Sequence, residues 1–85
     1  IAAQLGIAYA DSGAFEEGLK YLEIAESLNP DNDYVLFNKA VLFDKMGRTS
    51  EAAELYRHIL RRAADGKSGQ GLPLDVIRQR LGFMR

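Results

Sequence analysis

The sequence predicts an all-α fold of about five helices arranged as stacked antiparallel hairpins. Three observations carry this. Apolar residues recur three to four positions apart through most of the chain. Leu, Ala, Glu, Lys and Arg outweigh the β-branched residues. A helix break built on glycine, Ser12-Gly13, returns 34 residues later as Met46-Gly47.

Each element follows from local chemistry. Ala2, Leu5 and Tyr9 define a first helix, which ends where Gly13 permits a turn. Phe15, Leu19, Leu22 and Ala25 resume the pattern as a second helix. Asn29-Pro30-Asp31 stops it, because proline lacks an N–H and restricts the residue before it, and Asp31 or Asp33 is placed to cap the next helix. The third helix, 33 to 46, carries Tyr34, Leu36, Phe37, Ala40, Val41, Leu42, Phe43 and Met46 almost all round, so it has to be covered on several sides. After Gly47 a fourth helix runs to about residue 64. The stretch 65–71, "DGKSGQG", holds three glycines and is predicted, with residue 72, to be a flexible linker. Pro73 suits a helix start, and Leu74, Ile77, Leu81 and Met84 share one face, so 73–85 is predicted to be a helix that caps the stack.

With 85 residues there is room for one core. The 47% hydrophobic and 27% charged content is that of a soluble globular chain. No cysteine is present, which removes disulfides, thiolate metal sites and cysteine nucleophiles. No apolar run is long enough for a membrane span and no signal-peptide pattern occurs, so the expected location is cytoplasmic. The chain opens on Ile1 inside an amphipathic pattern and therefore reads as an excerpt of a longer protein. Its charge is polarised: residues 1–32 carry six acids and one base, 33–64 four acids and six bases, and 65–85 two acids and four bases.

A shift of 34 residues pairs Gly6 with Ala40, Tyr9 with Phe43, Gly13 with Gly47, Glu17 with Glu51, Gly18 with Ala52 and Leu22 with Tyr56. Small residues stay small because close helix crossings admit only Gly or Ala, and bulky ones stay bulky because they fill the grooves beside the crossing. Leu5-Gly6-x2-Tyr9, Gly18-x3-Leu22 and Pro30, then Leu36, Ala40, Phe43 and Ala52-x3-Tyr56, resemble the W-x2-L-G-x2-Y, A-x3-F and P pattern of the tetratricopeptide repeat (TPR) family. The resemblance covers residues 1–64 as two repeats, about 1–30 and 33–64, and implies a right-handed α-solenoid. Ala2 stands where tryptophan is common, Lys39 replaces a usual leucine, Ala64 takes the proline position and Arg62 the place of Leu28. These departures predict a repeat at the end of its stack.

Enzymatic chemistry finds little footing, and no cofactor is predicted. "GKS" at 66–68 lacks the earlier glycine and the strand of a phosphate-binding loop, since Arg61 stands at the glycine position. Glu51, Glu54 and His58 share a helix face, which reads as a paired solvated surface rather than a metal site. Glu16, Glu17, Glu23 and Glu26 read as the solvated face of the second helix, not as acid–base catalysts. Arg57, Arg61, Arg62, Arg78, Arg80 and Arg85 form a basic region, but the acidic first repeat and a pI near 5.8 speak against nucleic acid or membrane as partner.

The resemblance implies a non-catalytic protein-interaction module whose first helices line a concave groove for a partner's peptide or helix. The lining positions fall on Ala3, Ile7, Ala10 and Asp11, and on Tyr34, Phe37, Asn38, Val41, Asp44 and Lys45. Tyr34, Phe37 and Val41 stay open between groove and core. In one TPR subclass a clamp of lysines, asparagines and arginine grips a C-terminal carboxylate. Asn38 matches one clamp asparagine, but Ala3 and Ile7 occupy the lysine and asparagine positions, so an apolar anchor from the partner is the better expectation. The alternative is an architectural role, packing against further repeats, or against a second copy through the groove or the C-terminal helix.

Overall fold

The computed structural model describes residues 1–67 and 71–84. Ser68 to Gln70 of the predicted linker, and Arg85, lie outside the described residues. The fold is all-α, as the sequence predicts. Its helices are α1 (Ala2–Asp11), α2 (Phe15–Leu28), α3 (Asp33–Lys45), α4 (Thr49–Ala64) and α5 (Leu74–Phe83). They pack as α1 on α2, α2 on α3, α3 on α4 and α4 on α5, with α1 also touching α3.

The two recurrent breaks are built alike. Gly13 takes φ 91° and Gly47 φ 78°, the left-handed region that side chains resist. Around each, two backbone bonds close the preceding helix. Ala14 N donates to the Tyr9 carbonyl at 2.9 Å and Gly13 N to that of Ala10 at 3.1 Å. Arg48 N and Gly47 N repeat this on Phe43 and Asp44. This is the Schellman arrangement, in which otherwise unpaired terminal carbonyls find donors.

A third instance ends α4, where Gly66 has φ 72° and Lys67 N bonds the Arg62 carbonyl at 3.0 Å. A glycine thus ends the second repeat although Ala64 holds the proline position. At α3 the cap is Asn32, whose side-chain oxygen accepts from Tyr34 N and Val35 N at 3.0 and 3.3 Å. It is neither of the aspartates suited to the task, Asp31 and Asp33, which lie 3.7 and 3.0 Å from the Arg62 guanidinium.

The core runs the length of the stack, with Leu22, Leu42, Ile59 and Ile77, one from each of α2 to α5, almost wholly enclosed. Within α1 only Gly6 is buried. The two charged departures from the family pattern are structural. Lys39 Nζ, 14% exposed, donates to Glu26 at 2.6 Å and lies 3.9 Å from Glu23, tying α3 to α2. Arg62 Nε donates to Asp33 at 3.0 Å, and its guanidinium lies 3.7 Å from Asp31. Lys39 stands where leucine is usual and Arg62 where the first repeat has Leu28, and both hold helices together by ion pairs.

Candidate protein-interaction groove

α1 and α3 both pack on α2 and touch each other. Gly18 is buried against the backbone of Gly6 and Ala10, which draws α1 close. Ile7, Ala10 and Asp11 of α1 then meet Asn38, Val41 and Lys45 of α3 around one shallow depression, floored by Leu22 and Leu42. Its volume is about 30 Å³. Small-molecule sites run to roughly 300 Å³ and more, so this dimple holds a methyl group or a water and is no ligand pocket. Asp11 and Lys45, both exposed, set opposite charges at its rim.

Five of the nine residues assigned to the groove by sequence, Ile7, Asp11, Asn38, Val41 and Lys45, come together here, with Ala10 beside them. The other four are placed elsewhere. Ala3 is half-buried against the edge of the core. Tyr34 is 54% exposed at the start of α3, and Asn38 Nδ2 donates to its carbonyl oxygen at 2.8 Å. Phe37 is half-buried, its ring 6.4 Å from that of Tyr56 and tilted by 51°. Asp44 accepts two hydrogen bonds from Arg80 of α5, at 2.8 Å from Nε and 2.7 Å from Nη2.

The Arg80–Asp44 fork joins α5 to α3, and the hydrogen bonds to Asp44 raise the Arg80 pKa above its ordinary value. Beside it, burial first and the Asp44 charge second push the Tyr56 phenol up to about 12. Arg80 was legible in the sequence only as one of several basic residues. Nothing in a linear pattern ties it to a position 36 residues earlier. The depression's floor, Leu22 and Leu42, was also not singled out, since both read as ordinary core.

Other polar groups are accounted for locally. Glu51, whose pKa is lowered by the hydrogen bonds it accepts, pairs with Arg48 at 2.6 and 2.8 Å. Arg78 pairs with Asp75 at 3.1 Å. Among the described residues no group of three His, Asp or Glu side chains is placed to hold a metal ion. No helix among them is long and apolar enough to cross a membrane.

Comparison with known proteins agrees with the architecture. The tetratricopeptide repeat pattern matches residues 9–72. The mouse (Mus musculus) Superkiller complex protein 3 is 38% identical over 61 residues, which cover 72% of this chain and 4% of that protein. The chain therefore spans a small fraction of that relative's length. No solved structure matches. Paired glycine-closed hairpins, small residues at each crossing and a family match over most of its length place the chain in the tetratricopeptide repeat family.

Proposed function

We propose that this chain is a non-catalytic protein-interaction module that receives an extended peptide or a short helix along the groove between α1 and α3. TPR segments generally mediate protein–protein contacts, and the mouse relative is by name a component of a complex. One observation carries the finer reading: two helices 31 residues apart converge six side chains on a single apolar dimple with a charged rim. Such a dimple suits one small apolar side chain of a partner, with the polar ends of the peptide left to Asp11, Asn38 and Lys45. Tyr34 and Phe37 extend the wall along α3, while Asp44, engaged by Arg80, contributes through α5 rather than directly.

Peptides selected from a displayed random library on the folded chain, then mapped by amide chemical-shift changes, test this. Shifts should cluster on α1 and α3, and Val41→Glu should abolish binding while helicity is kept. Shifts confined to α4 or to the outer face of α2 would overturn the reading. Phe37→Ala should weaken binding more than it lowers stability; equal losses would make Phe37 a core residue.

A further inference from the structure

The dimple between α1 and α3 is held small by backbone contact beneath it. A Cβ added to Gly18 of α2 would lie 2.9 Å from the Gly6 carbonyl oxygen and 3.1 Å from Ala10 N, so α1 is seated on α2 as closely as glycine allows. α3 packs on the same helix. Ile7, Ala10 and Val41 wall the dimple above buried Leu22 and Leu42. A space of about 30 Å³ admits the methyl group of an alanine, whereas a leucine or an aromatic ring enters only if close-packed helices separate.

The rim carries charge in a definite order. Asp11 and Lys45 are 34 residues apart, so the two repeats present opposite charges from one shared position. Neither enters an ion pair among the described residues, whereas Lys39, Arg48, Arg62 and Arg80 all do. Asp11 also stands in the last turn of α1, at the negative end of the helix dipole, and that turn holds no basic residue to answer it. Beside them Asn38 donates from Nδ2 to the Tyr34 carbonyl at 2.8 Å, which leaves its Oδ1 as an acceptor.

Resting on the groove reading above, we propose that the partner segment is an extended peptide with alanine at its centre, a basic residue two positions to one side and an acidic residue two positions to the other. The alanine methyl fills the dimple, the base lies over Asp11 and the acid over Lys45, while a peptide N–H donates to Asn38 Oδ1. The spacing follows from extended backbone. Side chains two apart point to one face and lie about 6–7 Å from each other, and packed helices lie roughly 8–10 Å apart, so charges at both second neighbours straddle α1 and α3. Glu16 and Glu17 border Lys45 from a separate hollow and weaken its pull on an acid. The basic position is therefore the stricter of the two.

Selection from a displayed random-peptide library on the folded wild type, on the double variant Asp11→Lys with Lys45→Asp, and on Val41→Ala tests this, with amide shifts used to map each binder. Wild-type binders on α1 and α3 should carry a central alanine and the two charges in one fixed order. Reversing that order in a synthetic peptide should weaken binding about tenfold at low salt, an effect that fades at high salt. The double variant should select the reversed order, and Val41→Ala should admit valine or leucine at the centre. Asp11 and Lys45 are exposed and Val41 half-buried, so helicity by circular dichroism should match the wild type. Should the double variant lose it, Asp11→Asn and Lys45→Gln, made singly, should each abolish selection of one charge. Groove binders without a charge order, an order that these variants leave unchanged, a leucine or aromatic centre in the wild type, or a centre that Val41→Ala does not alter overturns the proposal. Binders mapped outside α1 and α3, or none at all, overturn the groove reading and this inference with it.

Discussion

A Cβ added to Gly6 would come within 2.8 Å of Leu22 Cγ and 2.9 Å of the Gly18 carbonyl oxygen. The second contact is with backbone, so relief requires α1 and α2 to move apart. Replacing Gly by Ala inside a helix gains about 1 kcal/mol from propensity, while overpacking a tight crossing costs about 1–3 kcal/mol. The clash wins. Gly6→Ala should lower the melting temperature by several degrees, since about 1 kcal/mol moves a domain of this size by roughly 4–8 °C. A melting curve equal to or above wild type would show that the crossing is loose. The need for small residues was legible in the sequence, because the 34-residue shift sets Gly6 against Ala40 and Gly18 against Ala52, and both alanines are fully buried. What the shift does not reveal is that the first crossing is too close even for alanine, which depends on the distance between two backbones.

Helix ends set how the elements are joined, and they were unevenly legible. Gly13 and Gly47 announce their turns, since only glycine enters the left-handed region without strain. The cap of α3 was less legible: Asp31, Asn32 and Asp33 are adjacent and all suit the role. The path out of Pro30 gives Asn32 the extended backbone a cap needs, and Asp33 pairs with Arg62. The same limit applies to Lys39 and Arg62, read by sequence as signs of a stack running out. Their partners, Glu26 and Asp33, lie 13 and 29 residues away and become visible only once the hairpins are stacked. For α3 the consequence is direct. Asn32→Ala removes the acceptor for two backbone N–H groups and should cost about 1 kcal/mol. Hydrogen exchange should speed up selectively at Tyr34 and Val35, with α4 unaffected. An even loss of protection across all helices would mean that the cap matters to the whole fold rather than to the first turn of α3.

At the scale of the molecule, α5 packs on α4 at the end of the described helices. Its apolar stripe was predicted from Leu74, Ile77 and Leu81, but the same stripe would serve a second copy or a distant partner equally well. The sequence leaves that open, because the choice depends on whether the connection after α4 reaches back to the core. The structure places Ile77 among the fully enclosed side chains and Leu74, Leu81 and Met84 against the core's edge. Two forces then hold α5, apolar burial through Ile77 and the Arg80–Asp44 fork, and magnitudes separate them. Truncating a buried isoleucine to alanine costs about 2–5 kcal/mol, a large share of the few kcal/mol that a chain of this size has. The Arg80 side chain is 44% exposed, and ion pairs in such water-accessible settings contribute about 0–1 kcal/mol. Ile77→Ala should therefore lower the melting temperature by about 10 °C or more, whereas Arg80→Ala should shift it by only a few degrees and lose its small effect at high salt. The opposite ranking, with Arg80→Ala the more damaging and strongly salt-dependent, would mean that α5 is held electrostatically and that Asp44 is released to the groove whenever salt or a charged partner competes for Arg80.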